Sequence, residues 1–278
     1  MRGLRTLLVL LVVGCSLPFA RGETAPADRP LLVLAYHEIA APSDALVPQY
    51  AVTPTTFVRH IDWLRNTGFT FVSVDEVLAA RAGRATLPAR AVLLTFDDGY
   101  ASFYEHAWPM LKMLRIPAVV SVVTSWHEGS GPVSLEGRPV QRDRFMTWDQ
   151  LRDIQASGLI ELASHTHDLH HGVPGNPQGS LMAAATTRRY DGVEQRYETD
   201  GEYAARIAAD FRRSKNLLRR RTGRDPRVWT WPYGRYNETL QQQAVSLVSP
   251  ASPIPVRPFT PNRRFYMSET RHSCVTRR

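Results

Sequence analysis

An apolar run that ends in two adjacent carboxylates is the feature that most constrains the fold of this chain. Residues Ala91–Phe96 are apolar apart from Thr95, and Asp97, Asp98 and Gly99 follow directly. Buried parallel strands have this composition, and open α/β sheets and α/β barrels place their chemistry at the carboxyl ends of such strands. Two neighbouring carboxylates repel each other, and a metal ion or a shared proton relieves the repulsion. The alternative is an ordinary turn, because Asp-Gly is a common turn dipeptide.

Strand and helix patterns alternate along most of the chain. The sequence predicts strands at residues 31–36, 69–72, 91–96, 117–123, 159–163 and 228–231. It predicts helices at residues 53–68, 73–81, 100–115, 147–157 and 203–221, the third of them interrupted by Pro109. Residues 125–144 and 172–201 have no regular period and are interpreted as long loops. Repeated strand-helix pairs predict a parallel sheet, either open or closed into a barrel.

The length of the chain allows a large hydrophobic core, and the distribution of its charge argues against a nucleic-acid partner. With 278 residues and 43% hydrophobic content, the chain can build one large α/β domain or two small ones. The net charge of +8 comes mostly from the ends, because residues 241–278 hold six Arg against one Glu and the first residues add Arg2 and Arg5. The body of the chain is therefore nearly neutral, and no nucleic-acid partner is predicted.

The first residues have the pattern of a targeting segment. Arg2 and Arg5 precede an unbroken apolar run at residues 7–13, which is too short to span a bilayer as a helix. The run ends in Gly14-Cys15, which resembles the lipobox of bacterial lipoprotein signal peptides. This interpretation makes residues 1–14 a signal peptide, Cys15 a lipid-bearing first residue and residues 15–30 a linker. The alternative is a secretory peptide that is cleaved a few residues later.

The second concentration of polar residues is a cluster of histidines. His165, His167, His170 and His171 lie within seven residues, directly after a predicted strand. Two imidazoles and one carboxylate would leave an open position for water, as in catalytic zinc sites. His167 and His171 would share one face of a helix, whereas a loop would allow any pair. The histidines that do not bind metal would support the ligands or lie on the surface.

Three short motifs together resemble a known family. Residues 95–99 (TFDDG), residues 164–170 (SHTHDLH) and residues 231–234 (WPYG) look like the first three motifs of the NodB-homology polysaccharide deacetylases, carbohydrate esterase family 4. The five-residue spacing of His165 and His170, together with residues 35–39 (AYHEI), is similar to the poly-β-1,6-N-acetyl-D-glucosamine deacetylases of biofilm export systems. The resemblance covers about residues 31–239.

The resemblance implies a fold, an activity and a set of roles. The fold would be α/β, a distorted (β/α)7-type barrel, with the deacetylase domain at residues 31–240. The activity would be hydrolysis of the acetamide of N-acetylglucosamine units in a polysaccharide. Metal ligands would be Asp98, His165 and His170. Asp97 would be the general base, His37 the general acid, and the backbone N–H of Tyr233 the oxyanion donor. The alternative for His37 is a strand-end histidine bonded to backbone.

The same resemblance implies a cofactor, partners and a location. The cofactor would be a divalent metal ion, zinc before cobalt, nickel or iron, since this ligand set accepts all four. The partners would be the polysaccharide, the outer-membrane export machinery and, through the lipid on Cys15, a membrane. The location would be the cell envelope, at the periplasmic face of the outer membrane, or secreted and periplasmic if Cys15 carries no lipid.

The sequence departs from the family pattern in its last third. Thr230 stands where the family usually has an Arg, and the Asp and Trp of the fourth motif have no counterpart after Gly234. Residues 241–278 have no strand or helix period and are predicted to be a frameshifted or disordered tail, which would leave the barrel incomplete at the C-terminus. Two hypotheses follow. One is a deacetylase of the β-1,6 polymer, with peptidoglycan or chitin oligomers as alternatives. The other is an inactive carbohydrate-binding or export-scaffold protein.

Overall fold

The computed structural model describes residues 31–135, 137–247, 264–266 and 275–276. The predicted signal peptide, Cys15, the linker up to residue 30 and most of the predicted tail at 241–278 lie outside these residues. Where the tail is described, it differs from the predicted absence of helix and strand, because residues 241–247 complete the helix Glu238–Leu247 and residues 264–266 and 275–276 form strands. Within the described part of the chain, no helix is both long and apolar enough to cross a membrane.

A mostly parallel sheet forms the centre of the fold. The strands are β1 (Leu32–Tyr36), β2 (Thr70–Phe71), β3 (Ala91–Phe96), β4 (Ala118–Val122), β5 (Val133–Leu135), β6 (Arg138–Val140), β7 (Ile160–Ser164), β8 (Gly172–Pro174), β9 (Leu181–Ala183), β10 (Tyr190–Asp191), β11 (Arg196–Tyr197), β12 (Arg264–Tyr266) and β13 (Val275–Thr276). The main sheet has the order β13-β12-β1-β3-β4-β7, and β2 pairs with the start of β3. In the described part of this sheet, β13 is the one strand that runs antiparallel to its neighbour. The carboxyl ends of β1, β3, β4 and β7 therefore lie along one edge.

The described residues form six α-helices around this sheet. They are α1 (Pro54–Asn66), α2 (Val74–Arg81), α3 (Trp108–Leu114), α4 (Trp148–Ala156), α5 (Asp200–Thr222) and α6 (Glu238–Leu247). Capping boxes start α2, α4 and α5, with Ser73, Thr147 and Thr199 as N-caps. Side chains in these boxes accept from backbone N–H groups that the helix itself leaves unpaired. The predicted starts of α2 and α4 are thus confirmed.

Pro109 changes the helix that follows β3 in a way the pattern did not predict. A π-helical segment, Phe103–Ala107, precedes α3, and the N–H of Trp108 bonds to the carbonyl of Phe103 five residues back. Proline has no N–H to donate to the carbonyl four residues before it. The wider helical turn therefore lies just before the proline, whereas the sequence predicted an interruption at the proline itself.

Both long segments interpreted as loops contain β-hairpins. Strands β5 and β6 pair within the first segment, where Val133, Leu135 and Val140 are buried against Phe145. The second segment contains the hairpins β8-β9 and β10-β11. Strands of two or three residues are too short to show a period of two, so the sequence pattern could not reveal them.

The last predicted strand, at 228–231, is reduced to one parallel bridge between Ser164 and Trp229. Its backbone still bonds to the end of β7 through the N–H of Ser164, which donates to Val228, and the N–H of Thr230, which donates to Ser164. The α/β fold with parallel strands agrees with the sequence prediction. Closure into a barrel stays a prediction, because residues 248–263 and 267–274 lie outside the described chain.

Candidate metal centre

The site lies at the edge of the sheet where the parallel strands end. Asp97 and Asp98 follow β3, and His165 follows β7. The N–H of Asp97 donates to the carbonyl of Tyr36 in β1, and the N–H of His165 donates to that of Val122 in β4, both at 2.9 Å. The ladder between neighbouring strands thus continues into the site residues, and it fixes their backbones relative to one another.

Asp98, His165 and His170 form a compact cluster. One ligand atom from each residue lies within 4.8 Å of the other two. Oδ1 of Asp98 is 3.5 Å from Nε2 of His165 and 3.4 Å from Nε2 of His170. The geometry brings together the three residues that the family resemblance implies as ligands, whereas their role in binding a metal stays a prediction.

The cluster fits a divalent cation on the evidence of its own polar atoms. Oδ1 of Asp98 is buried and accepts no hydrogen bond from any described residue. Leaving a buried carboxylate oxygen without a partner is costly, and this oxygen is the one that faces both imidazoles. One carboxylate oxygen and two imidazole nitrogens are a typical donor set for zinc and similar metals. A cation at this point would satisfy all three atoms.

Thr230 fixes which nitrogen of His165 can bind a metal. Nδ1 of His165 lies 3.1 Å from the backbone carbonyl of Thr230 and 2.7 Å from its hydroxyl. A carbonyl only accepts hydrogen bonds, so Nδ1 must carry the proton. Nε2 then presents its lone pair toward Asp98. Partners of this kind hold the tautomer and the ring orientation of metal-binding histidines.

His170 is held by aromatic side chains on two sides. Its ring centroid is 5.2 Å from that of Trp126 and 4.5 Å from that of Tyr233. The ring of His165 is 5.1 Å away. These contacts restrict the rotation of an imidazole that belongs to a loop rather than to a strand. Trp126 was not identified from the sequence, and its position in an irregular segment gave no signal for it.

Left-handed backbone marks each of the three sequence motifs. Asp98, Thr166 and Tyr233 have φ values of 73°, 74° and 57°. Such conformations are unfavourable for residues other than glycine and are concentrated at functional sites. The turn after β3 also requires Gly99, where a Cβ atom would lie 2.9 Å from Cγ1 of Val122. Asp98 and Thr166 follow closely after the ends of β3 and β7, and Tyr233 lies in the short helical turn Pro232–Gly234 that follows the bridge at Trp229.

Burial changes the proton affinity of Asp98. Its pKa is raised from 3.8 to about 6, mainly because burial desolvates the charged form. The negative charges of Asp97 and Glu38 also raise the pKa, while His37 and a hydrogen bond from Tyr100 lower it. The carboxylate is therefore destabilised in the metal-free protein. His37 follows Tyr36, whose carbonyl accepts from the N–H of Asp97, so the end of β1 places His37 beside the cluster.

The remaining predicted site residues occupy positions around the cluster. Asp97 is buried beside Asp98. The ring of His37 stacks on Tyr50 at 5.2 Å, and Tyr233 contacts His170. The roles of Asp97 as base, His37 as acid and the Tyr233 N–H as oxyanion donor stay predictions, since these contacts show location rather than reaction.

The other two histidines of the predicted cluster do not join the three. His167 is buried, and its Nδ1 lies 2.9 Å from the hydroxyl of Thr124. Nε2 of His171 lies 3.1 Å from the carbonyl of Asp168. Desolvation lowers the pKa of both histidines, which favours their neutral form. This arrangement agrees with the predicted alternative, in which the histidines that do not bind metal support the ligands or lie on the surface.

Glu38 binds the segment that follows β1 beside the site, and this role was not evident from the sequence. Its buried carboxylate accepts hydrogen bonds from the N–H of Leu46 at 2.6 Å and of Val47 at 3.3 Å. It also pairs with Arg144 at 3.0 Å. The partner lies 106 positions away in the chain, so no local pattern could have identified the pair. The contacts hold the segment after β1 against the site.

A parallel α/β sheet with an Asp-His-His cluster at its carboxyl edge, and a second carboxylate beside it, is an arrangement typical of metal-dependent hydrolases. Comparison with known proteins specifies the class further. The chain belongs to the polysaccharide deacetylase family, which matches residues 84–249. The matched region contains all three sequence motifs.

Two groups of relatives carry the same name. The poly-beta-1,6-N-acetyl-D-glucosamine N-deacetylase of Escherichia coli K12 is 41% identical over 177 residues, which are 63% of this chain and 26% of that protein. Its namesake in Staphylococcus aureus N315 is 26% identical over 197 residues, 69% of this chain and 57% of that protein. The chain thus spans about a quarter of the first relative and a little over half of the second.

Two solved structures share the fold. The de-N-acetylase of Aggregatibacter actinomycetemcomitans is 38% identical with a TM-score of 0.72, and the similarity covers 77% of this chain and 83% of that one. The BpsB deacetylase domain of Bordetella bronchiseptica is 42% identical with a TM-score of 0.70, covering 78% and 84%. The fold of the described region is therefore that of a deacetylase domain.

The raised pKa of Asp98 predicts that its neutralisation stabilises the metal-free protein. The folded-state pKa of about 6 lies above the unfolded value of 3.8, so the stability contribution present below about pH 4 is lost as the pH rises through about 6. We expect Asp98→Asn to raise the free energy of unfolding at pH 8 by about 1–3 kcal/mol in the metal-free state. Urea denaturation at pH 8 and pH 4 measures this.

The exposed Asp143 provides a control, since Asp143→Asn should change stability at neither pH. With added zinc at pH 8, the wild-type protein should be more stable than Asp98→Asn, because zinc stabilises only the protein that binds it. A wild-type protein that is as stable without metal at pH 8 as Asp98→Asn would contradict the argument from desolvation.

Proposed function

We propose that this chain is a divalent-metal-dependent N-deacetylase that removes acetyl groups from N-acetylglucosamine units of a poly-β-1,6-N-acetylglucosamine polysaccharide. The observation that carries the proposal is the cluster of Asp98, His165 and His170, with Asp97 beside it and His37 nearby. Membership of the polysaccharide deacetylase family supports the reaction class. The names of the Escherichia coli and Staphylococcus aureus relatives support the β-1,6 linkage.

The chemistry needs a nucleophile, a place for negative charge and a protonated leaving group. A divalent cation, when bound, supplies Lewis acidity for the acetamide carbonyl and lowers the pKa of water. Asp98, His165 and His170 would hold it. Zinc is our first choice, and cobalt, nickel or iron would suit the same donors.

The chain's own residues would manage the protons. Asp97 takes one proton from the attacking water, so the water oxygen can bond to the acetyl carbon. The N–H of Tyr233 donates to the oxygen of the tetrahedral intermediate. His37 gives a proton to the nitrogen as the carbon-nitrogen bond breaks, and the products are acetate and a free amine. A base and an acid in different surroundings can hold the opposite protonation states that this sequence requires.

The surface around the cluster supports a sugar polymer as substrate. Tyr50, Tyr233 and Tyr236 are 37%, 44% and 49% exposed. Tyr50 stacks on His37, and Tyr233 contacts His170, so two of these rings adjoin groups of the site. Amphipathic rings with one exposed face suit the apolar faces of pyranose rings. An extended polymer could therefore pass over the cluster and remain in contact with protein on both sides.

We also propose that the protein works at the cell envelope, as a lipoprotein anchored through Cys15. The support is the N-terminal pattern of two Arg, a short apolar run and Gly14-Cys15. A polymer that is being exported would meet the enzyme there, close to the export machinery of the outer membrane.

The roles of Asp97 and His37 predict a loss of turnover without a loss of metal. Asp97→Asn and His37→Ala should each lower acetate release from N-acetylglucosamine oligomers by about 100-fold or more, the usual scale of general acid-base catalysis. Zinc content per chain should stay at the wild-type level. His106→Ala is a matched control, because its side chain is 43% exposed. If Asp97→Asn releases acetate at the wild-type rate, the assignment of the base is wrong.

Substrate linkage is predicted to matter. We expect faster acetate release from β-1,6-linked than from β-1,4-linked N-acetylglucosamine oligomers of equal length, measured as kcat/KM on the zinc-loaded full chain. Equal or reversed rates would replace the proposed substrate by chitin or peptidoglycan oligomers. No release from either, by a chain that binds zinc, would favour a carbohydrate-binding or scaffold role.

The anchor has a direct test in cells. We expect a radiolabelled fatty acid to be incorporated into the wild-type protein in a bacterial host and not into Cys15→Ala. The labelled protein should be found in the membrane fraction for wild type and be missing from that fraction for Cys15→Ala. Cys274→Ala is the control. Label that persists in Cys15→Ala, or a wild-type protein that never takes it up, would leave the secreted alternative.

A further inference from the structure

One face of α5 carries a series of polar side chains that bind the backbone of the neighbouring segments. The hydroxyl of Tyr203 donates to the carbonyl of Ala185, and Arg206 donates to the carbonyls of Ala184 and Thr187. Asp210 and Ser214 follow at intervals of four residues, so all four side chains project on the same side of the helix. The helix therefore does more than cover the sheet, because it also fixes the path of the chain after β7.

Asp210 binds the loop between the two candidate histidine ligands. Its Oδ1 accepts from the N–H of His167 at 2.8 Å, and its Oδ2 accepts from the N–H of Asp168 at 2.7 Å. Hydrogen bonds to an ionised carboxylate are stronger than neutral ones. Two consecutive N–H groups in the middle of the segment from His165 to His170 are thus held by one side chain from a different element.

Side chains satisfy four consecutive N–H groups of this loop. The N–H of Thr166 donates to the hydroxyl of Ser164, and the N–H of Leu169 donates to the hydroxyl of Thr166. Asp210 accepts from the two N–H groups between them. Neither a helix nor a strand therefore sets the conformation of the loop. The acceptors do so, and Asp210 is the one that does not belong to β7 or to the loop.

The surroundings of Asp210 are unfavourable for an ionised carboxylate. The pKa of Asp210 is raised to about 6, mainly because burial disfavours the charged form. The two N–H donors and Arg206 lower the pKa, and the negative charge of Asp168 raises it. A neutral residue would avoid this penalty if filling space were the whole role.

We propose that Asp210 is a positioning residue that holds His165 and His170 at the separation a divalent cation requires. The proposal rests on the proposed function, because it takes these two histidines as ligands. Asp210 itself binds no metal. Its carboxylate fixes the loop before the cation arrives, so little ordering of the loop remains to oppose binding.

The test compares Asp210→Asn with Glu198→Gln in the full-length chain. Asn keeps the shape but accepts at one oxygen only, and its amide N–H would face a backbone N–H. Glu198 is a matched control, since it accepts from the N–H of Arg189 and from Arg206 and does not contact the loop after β7. We measure the dissociation constant for zinc, the visible spectrum with cobalt, and amide hydrogen exchange of the metal-free proteins.

We expect Asp210→Asn to weaken zinc binding by about 10–100-fold, the scale for residues that support metal ligands. The cobalt spectrum should change, and the amides of His167 and Asp168 should exchange faster. Glu198→Gln should match wild type in all three. If Asp210→Asn fails to fold, Asp210→Glu, which keeps the charge one methylene further out, should bind zinc more weakly than wild type.

Two outcomes separate the failure of this proposal from the failure of the proposed function. Zinc binding and a cobalt spectrum identical to wild type in Asp210→Asn, or in Asp210→Glu if that variant has to be used, would overturn the positioning role alone. A wild-type protein that binds neither zinc nor cobalt would overturn both.

Discussion

The buried carboxylate of Asp98 is the constraint on which the organisation of the site depends. One of its oxygens accepts no hydrogen bond from the described residues, and it lies 3.5 Å and 3.4 Å from Nε2 of His165 and of His170. Burial without full compensation destabilises a carboxylate and raises its pKa. The fold holds this arrangement through β3, whose six residues are all buried. A local loss of folding stability of this kind is characteristic of binding and catalytic sites, where a bound ligand compensates for it.

The strain at the site is distributed over three turns rather than concentrated in one. Asp98, Thr166 and Tyr233 each adopt left-handed backbone, directly after β3, after β7 and beside the bridge to β7. Each turn is held by contacts made from outside it, so the surrounding packing bears the cost of the conformation. Thr230 illustrates a departure from the family pattern with a clear physical use. In place of an Arg, the chain has a hydroxyl that lies 2.7 Å from Nδ1 of His165 and helps to hold the imidazole ring in place, while the backbone carbonyl of Thr230 fixes its tautomer.

Much of the fold could be predicted because the relevant signals are local. Apolar segments predicted five of the parallel strands of the main sheet, including the short β2, and capping residues such as Ser73 and Thr147 predicted the starts of helices. The hairpins of the two long segments were missed, since strands of two or three residues carry no periodic signal. Glu38 with Arg144, and Asp210 with the loop after β7, were missed for a different reason. These partners are more than 40 positions apart, and only folding brings them together.

By itself, the sequence determined the class of site. Two carboxylates after a buried strand and a histidine cluster after another required a common edge of a parallel sheet, because parallel strands align their carboxyl ends. Only the tertiary structure decided which histidines face Asp98. His165 and His170 do so, whereas His167 turns to Thr124. The choice depends on side-chain acceptors that bind the loop backbone and on aromatic rings from distant segments, and neither is encoded in the spacing of the histidines.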